Sequence, residues 1–175
     1  MFPLRRFILT VLKAKYAAPI AIDQQAILHL RCWPWDLDLF LELNNGRALS
    51  LFDLGRFDLA IRTPFMHALK DNHWGLVVAG STVRYRKRVR AFDKIEMHSQ
   101  MIGFDERWLY IEQSMWVKGV PCSSILLRTG ITDKGKVISP EIAKQAMGIE
   151  TLNLIDSAFL ASWKNSESLR PWPPQ

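Results

Sequence analysis

Across residues 45–62, "NGRALSLFDLGRFDLAIR", apolar side chains occupy most of the helical circumference, with Asp53, Arg56, Asp58 and Arg62 as the polar minority. That pattern predicts a largely buried central helix. Asn44 or Asn45 can cap it, because a short amide oxygen accepts from the free N–H groups of a first helical turn. Upstream, residues 26–33, "AILHLRCW", predict a strand ended by Pro34. Downstream, "TPFMHALKDNHW" continues as a broken helix or loop. From Trp74 the period changes to two. "WGLVVAG" predicts one short strand, and "STVRYRKRVR" another with Arg84, Arg86, Arg88 and Arg90 on one face. Ile95, Met97 and Met101 then alternate against Lys94, Glu96, His98 and Gln100, and Leu109, Ile111, Met115 and Val117 share a face of the next strand. Tight connections at 91–93, 103–106 and 118–119 predict consecutive antiparallel strands, with a further turn at 133–136. Ser139-Pro140 opens a helix with Pro at its first position. Residues 150–163 predict another helix, and "PWPPQ" an exposed tail. The economical architecture is α+β: a curved antiparallel sheet wrapped around one long helix.

A length of 175 residues suits one domain. It is read as an N-terminal basic arm or helix over 1–23, the sheet-and-helix body over 24–132, and C-terminal helices and tail over 133–175. A net charge of +6 favours anionic partners without choosing among them. Cys32 and Cys122 are too few for a disulfide framework, which predicts a reduced, cytoplasmic protein. The N-terminal stretch "MFPLRRFILTVLKAKYAAPI" has an apolar centre too short for a bilayer span, flanked by Arg5, Arg6, Lys13 and Lys15. It predicts a helix docked on the domain or a frayed arm, with contact to a membrane surface as the lesser alternative. Nucleic acid is not an expected partner, since the Arg84–Arg90 row is interleaved with only one aromatic, Tyr85.

Familiar catalytic signatures are missing: no P-loop, GxGxxG, HExxH, GxSxG or CxxC occurs. No metal site and no bound cofactor is expected. What stands out is "WPWDLDLFLELNNGR", residues 33–47, where Asp36, Asp38 and Glu42 crowd in front of a helix start. Free N–H groups at a helix N-terminus can hold a carbonyl oxygen as it becomes an oxyanion. A nearby carboxylate can serve as base or nucleophile. Gly46 lets a ligand approach the backbone closely. The simpler reading is that the aspartates cap turns and the asparagines cap the helix.

Residues 36–45, "DLDLFLELNN", resemble the D-x-D-x-x-x-H-x-N-N signature of hotdog-fold acyl-CoA thioesterases of the 4-hydroxybenzoyl-CoA thioesterase type. The similarity runs over roughly residues 24–132. It implies a hotdog fold, an acyl-CoA substrate, and a homodimer or homotetramer with the site at the subunit boundary. By this resemblance Asp38 falls on the catalytic carboxylate, and Asn44 and Asn45 on the pair that shapes the helix start. Backbone N–H groups around Asn45–Arg47 would polarise the thioester carbonyl. Glu42 stands where the family usually has His, and Ala48 where it usually has an aromatic. Arg86 and Arg88 could engage the phosphates of coenzyme A, since a guanidinium fork binds oxygens bidentately. The alternative for that row is a solvated face partly paired with Glu96, Glu106 and Glu112. Met97, Met101, Met115, Trp108 and Trp116 are read as core more than as lining of an acyl tunnel. The alternative function is a scaffold that holds acyl-CoA or lipid without turnover.

Overall fold

A computed structural model describes residues 3–149, 158–171 and 173. Helix α2, Asn45–Arg62, has the bounds its pattern predicts. The Asn44 side chain accepts the N–H groups of Gly46 and Arg47 at 2.9 and 3.2 Å, which satisfies two of the donors every helix start leaves unpaired. Leu51, Phe52, Leu54 and Leu59 sink into the core. Gly55 marks the closest approach of α2 to the sheet, because a Cβ there would lie 2.6–2.8 Å from the side chains of Met97, Ser99 and Gln113. Buried Gln113 is fully engaged at this contact. It donates to the Phe52 carbonyl (2.9 Å) and Ser99 Oγ (2.8 Å), and accepts from Arg56 Nη1 (3.0 Å). Left unpaired at that depth, the amide would cost about 1–3 kcal/mol.

Six strands form one sheet: β1 (Ala26–Arg31), β2 (Gly75–Tyr85), β3 (Lys94–Phe104), β4 (Leu109–Val117), β5 (Val120–Asp133) and β6 (Lys136–Val137). Their order is β1-β3-β4-β5-β2, antiparallel throughout, with β6 on the end of β5. The sheet curls around α2 as a half-barrel. Strands β3, β4 and β5 make the expected meander. Lys118 and Gly119 (φ 52° and 74°) and Lys134 and Gly135 (φ 46° and 81°) turn the two tight hairpins with positive φ at both positions, a backbone twist that matches the flanking strands.

Two expectations about the sheet need correction. The strands predicted on either side of Gly80 are one strand, β2, with a register shift between Val78 and Gly80. It pairs with β5 at the far edge, so 91–93 is a crossover rather than a hairpin, and β3 pairs with β1 instead. The ladder also stops at Tyr85. The amides of Arg86 and Lys87 both donate to the Cys122 carbonyl, at 2.8 and 3.0 Å, and two successive donors on one acceptor end the strand alternation. Only Arg84 of the four arginines therefore lies in a strand; Arg86, Arg88 and Arg90 follow it in irregular backbone.

Helix α1, Leu4–Tyr16, is docked on α2, burying Thr10 and Ala14 and setting Phe7 edge-on to Phe57 at 4.7 Å. Pro64–Asp71 is a short helix, α3, and Ser139 caps α4, Pro140–Ala146, as its sequence predicts. Of the helix expected over 150–163, residues 150–157 lie outside the described residues; Ala158–Leu169 forms α5. Leu160 of α5 covers the outer face of the sheet against Ile102, Tyr110 and Leu126. Met97, Met101 and Met115 are buried in the main core, whereas Trp116 lies on the opposite face, stacked on His98.

Asp105 fastens the β3–β4 turn and α5 together. Its Oδ1 accepts the amides of Arg107 and Trp108 (2.9 and 2.7 Å); its Oδ2 accepts the Tyr110 hydroxyl (2.7 Å) and pairs with Lys164 (2.8 Å). Burial alone would raise this carboxyl, but Lys164, the Arg107 amide, the Tyr110 hydroxyl and the Trp108 amide together hold it below the usual carboxylate range. A carboxylate held low contributes stability above its unfolded pKa, and that stability is lost as pH falls through the folded value. Asp105→Asn is therefore expected to lower the melting temperature at neutral pH. Thermal melts should show the gap from the parent closing as pH drops below about 4.

Candidate active site

The site begins with a compact hairpin ahead of α2. A 3₁₀ turn over Pro34–Asp36 leads to a bridge between Leu37 and Leu43. Within it the Asp38 amide donates to the Glu42 carbonyl (2.9 Å) and the Leu41 amide to the Asp38 carbonyl (3.1 Å). Leu41 is held at φ 57°, in the left-handed region that favours glycine. Leu41→Gly is expected to raise stability by up to about 1 kcal/mol, the strain removed being partly offset by a more flexible unfolded chain. A urea melt at neutral pH measures it.

The three carboxylates have different surroundings. Asp36 is fully buried. Its Oδ2 accepts from Arg6 Nη2 (2.7 Å) and the Trp33 amide (2.9 Å), and its Oδ1 from Arg47 Nη2 and Nε (3.0 and 3.2 Å). It thus ties α1, the turn and α2 to one point. Asp38 uses a single oxygen to cap the turn, Oδ1 accepting the amides of Phe40 (2.8 Å) and Glu42 (3.4 Å). Its other oxygen has no hydrogen-bond partner among the described residues. Glu42 pairs with Arg88 Nε at 2.9 Å. Since the Arg88 side chain is 68% exposed, that pair is solvent-screened and weak.

Glu42, Asn45 and Ala48 line an open pocket of about 260 Å³. Tyr85, Arg86, Lys87, Arg88 and Ser123 of β5 line it too. The structure thus brings Glu42, Asn45, Arg86 and Arg88 to one cavity. Asp38, Asn44 and Gly46 do not line it. The Gly46 and Arg47 amides, expected to face a carbonyl, are committed to the Asn44 cap. Asn45 supplies the helix-start amide with no partner among the described residues. Gly46 allows the tight cap, since a Cβ there would meet Asn44 Oδ1 at 3.3 Å. Arg88 finds its partner in Glu42 rather than in the strand glutamates.

Sequence reasoning missed Arg6 and Arg47 as the partners of Asp36. It also missed Lys87, which lies out of phase with the arginine row. Arg6 is 30 residues from Asp36 and carries no local signal of the pairing. Lys87 lines the pocket only because the strand ends before it.

The family model for the thioesterase-like superfamily matches residues 32–147. Protein THEM6 of Xenopus laevis is 32% identical over 80 residues, covering 46% of this chain and 39% of that protein. The probable thioesterase YBR096W of Saccharomyces cerevisiae is 25% identical over 119 residues, covering 66% of this chain and 52% of that protein. The chain thus spans about half or less of the length of these curated relatives. Among solved structures, the Escherichia coli probable thioesterase YbaW is similar with a TM-score of 0.65 and 17% identity, covering 69% of this chain and 94% of that one. A thioesterase of Thermus thermophilus, complexed with coenzyme A and Zn, is similar with a TM-score of 0.60 and 20% identity, covering 69% and 90%. At these identities the structural likeness shows the shared hotdog fold.

Proposed function

The chain belongs to the thioesterase-like superfamily, and on that footing we propose that it hydrolyses an acyl-CoA thioester to the free acid and coenzyme A. The observation that carries the reading is Asp38: one carboxylate oxygen is anchored by two backbone amides while the other stays uncommitted, in the hairpin that leads into α2. Water adds to the thioester carbonyl carbon as the free oxygen of Asp38 takes its proton. The developing oxyanion is stabilised by the Asn45 amide and the positive end of the helix. The C–S bond then breaks, and the departing thiolate receives the proton, leaving a carboxylic acid and the coenzyme A thiol. Asn44 positions the helix start, and Arg86 and Lys87 are suited to the phosphates of the leaving group.

Asp38 does not line the pocket; it is half-buried beside the exposed Leu39–Leu41 tip, where a second copy of the chain would complete the site. Strand β2 is an open edge with Leu76, Val77 and Val78 exposed, an edge that proteins generally cover. A homodimer or homotetramer paired along it would close the cavity with residues of both copies.

A non-catalytic acyl-CoA or lipid carrier is the second reading. It is favoured by the Glu42–Arg88 pair, which lines the pocket with a second carboxylate. Thiol release from short, medium, long and aromatic acyl-CoA esters separates the two. Turnover on any class supports hydrolysis and names the acyl group; tight binding of all classes with no thiol released supports the carrier.

A further inference from the structure

Helix α1 contributes more than its docked side. Its buried side is held by Phe7, Thr10 and Ala14 against α2, and by Arg6 on Asp36. The opposite half-circumference is open to solvent and carries five large apolar residues: Leu4, Ile8, Leu9, Leu12 and Tyr16, between 47% and 89% exposed. Interleaved with them are Arg5, Lys13 and Lys15, and the helix contains no acidic residue.

The surroundings extend the same chemistry. A groove of about 710 Å³ joins Leu4 and Leu9 to Trp35, which is 66% exposed. On the other flank Leu9 and Lys13 share a groove with Arg31 and Lys94. No acid lines either groove. Arg5, Lys13, Lys15, Arg31 and Lys94 form no ion pair among the described residues.

We propose that the outer face of α1, with Trp35 beside it, docks the protein on an anionic lipid surface. Charge complementarity selects this occupant. An unpaired cationic rim around apolar side chains suits a plane that offers phosphate and carboxylate oxygens at the surface and hydrocarbon beneath. Tyr and Trp, with an apolar body and a polar edge, suit the boundary between the two. No helix among the described residues is long and apolar enough to cross a membrane, and the contact proposed is with the surface of the bilayer. Because α1 stays docked through its inner side, it needs neither to unfold nor to leave the domain.

Cosedimentation of the full chain with unilamellar vesicles tests this. The parent should bind vesicles of phosphatidylcholine plus phosphatidylserine, bind phosphatidylcholine alone more weakly, and release as salt rises. Leu4→Ser, Ile8→Ser and Leu12→Ser combined should lower binding to both vesicle types about tenfold or more. Lys13→Glu with Lys15→Glu should abolish the preference for phosphatidylserine, at about fivefold or more per cation. All these positions are exposed, and circular dichroism verifies the fold. If the apolar variant does not fold, the charge variant decides the question by itself. A parent that ignores phosphatidylserine vesicles at low salt would overturn the proposal. So would an apolar variant that binds as the parent does, or one whose only change is a smaller oligomer by sedimentation velocity, which would assign the face to a second copy of the chain.

Discussion

Asp38→Asn is expected to lower turnover of an acyl-CoA thioester about 10²–10⁴-fold, the range in which a positioned base contributes. The substitution is sparing in structure. Asparagine keeps a carbonyl oxygen where Oδ1 accepts the amides of Phe40 and Glu42, so the hairpin holds. What it removes is the basic oxygen, because a neutral amide cannot take a proton from water. The loss should fall on kcat, with KM nearly unchanged, since Asp38 does not line the pocket proposed for the phosphates. Steady-state kinetics on the preferred ester, with melting curves of both proteins, measures this. An Asp38→Asn protein that turns over like the parent would place the base elsewhere, and Glu42 would be the next carboxylate to examine.

The largest expected effect on stability belongs to Asp36. At zero exposure, its two oxygens accept from Arg6 Nη2, from Arg47 Nη2 and Nε, and from the Trp33 amide. Removing one partner of a buried ionic cluster leaves uncompensated charge and costs about 3–5 kcal/mol. Here the arginine side chains are 17% and 21% exposed, so water recovers part of that and about 3 kcal/mol is expected for Asp36→Ala. For a domain of this size that is a fall of roughly 10 °C in Tm. The damage should also be local, because Asp36 anchors α1 and the α2 start together. Hydrogen exchange in α1 and in residues 33–47 should rise above the rest of the chain. A change below about 0.5 kcal/mol, the range of an ordinary surface substitution, would contradict the role assigned to Asp36.

What could be read from the sequence followed from how local each feature is. The bounds of α2 were legible because a capping asparagine and an apolar helical run are contiguous signals. The hairpins at Lys118-Gly119 and Lys134-Gly135 were legible because Gly accepts positive φ. The place of β2 was not, since period-two patterning marks a strand without saying which edge it joins, and its pairing with β5 spans dozens of residues. The arginine row failed for a related reason: the alternation continues past Tyr85, while the backbone leaves the ladder at Arg86.

At the site, the hydrogen bonds are those of the simpler expectation. Asn44 caps the helix and Asp38 caps the turn, as short polar side chains do. Yet Asp38 spends only one oxygen in doing so. The burial of Asp36 was invisible, because its partners Arg6 and Arg47 come from two different helices. The Asn45 amide emerged as the open donor only once the Asn44 cap was seen to hold Gly46 and Arg47.

In the proposed reaction, hydrolysis of the thioester depends on Asp38. Its most direct test is the rate of free thiol release from a panel of acyl-CoA esters, measured side by side for the parent and Asp38→Asn at equal folded concentration. The parent is expected to release thiol from at least one acyl class, and the variant to lose that release. Thiol release of equal rate in both proteins, or none from any ester by the parent, would contradict the proposed reaction.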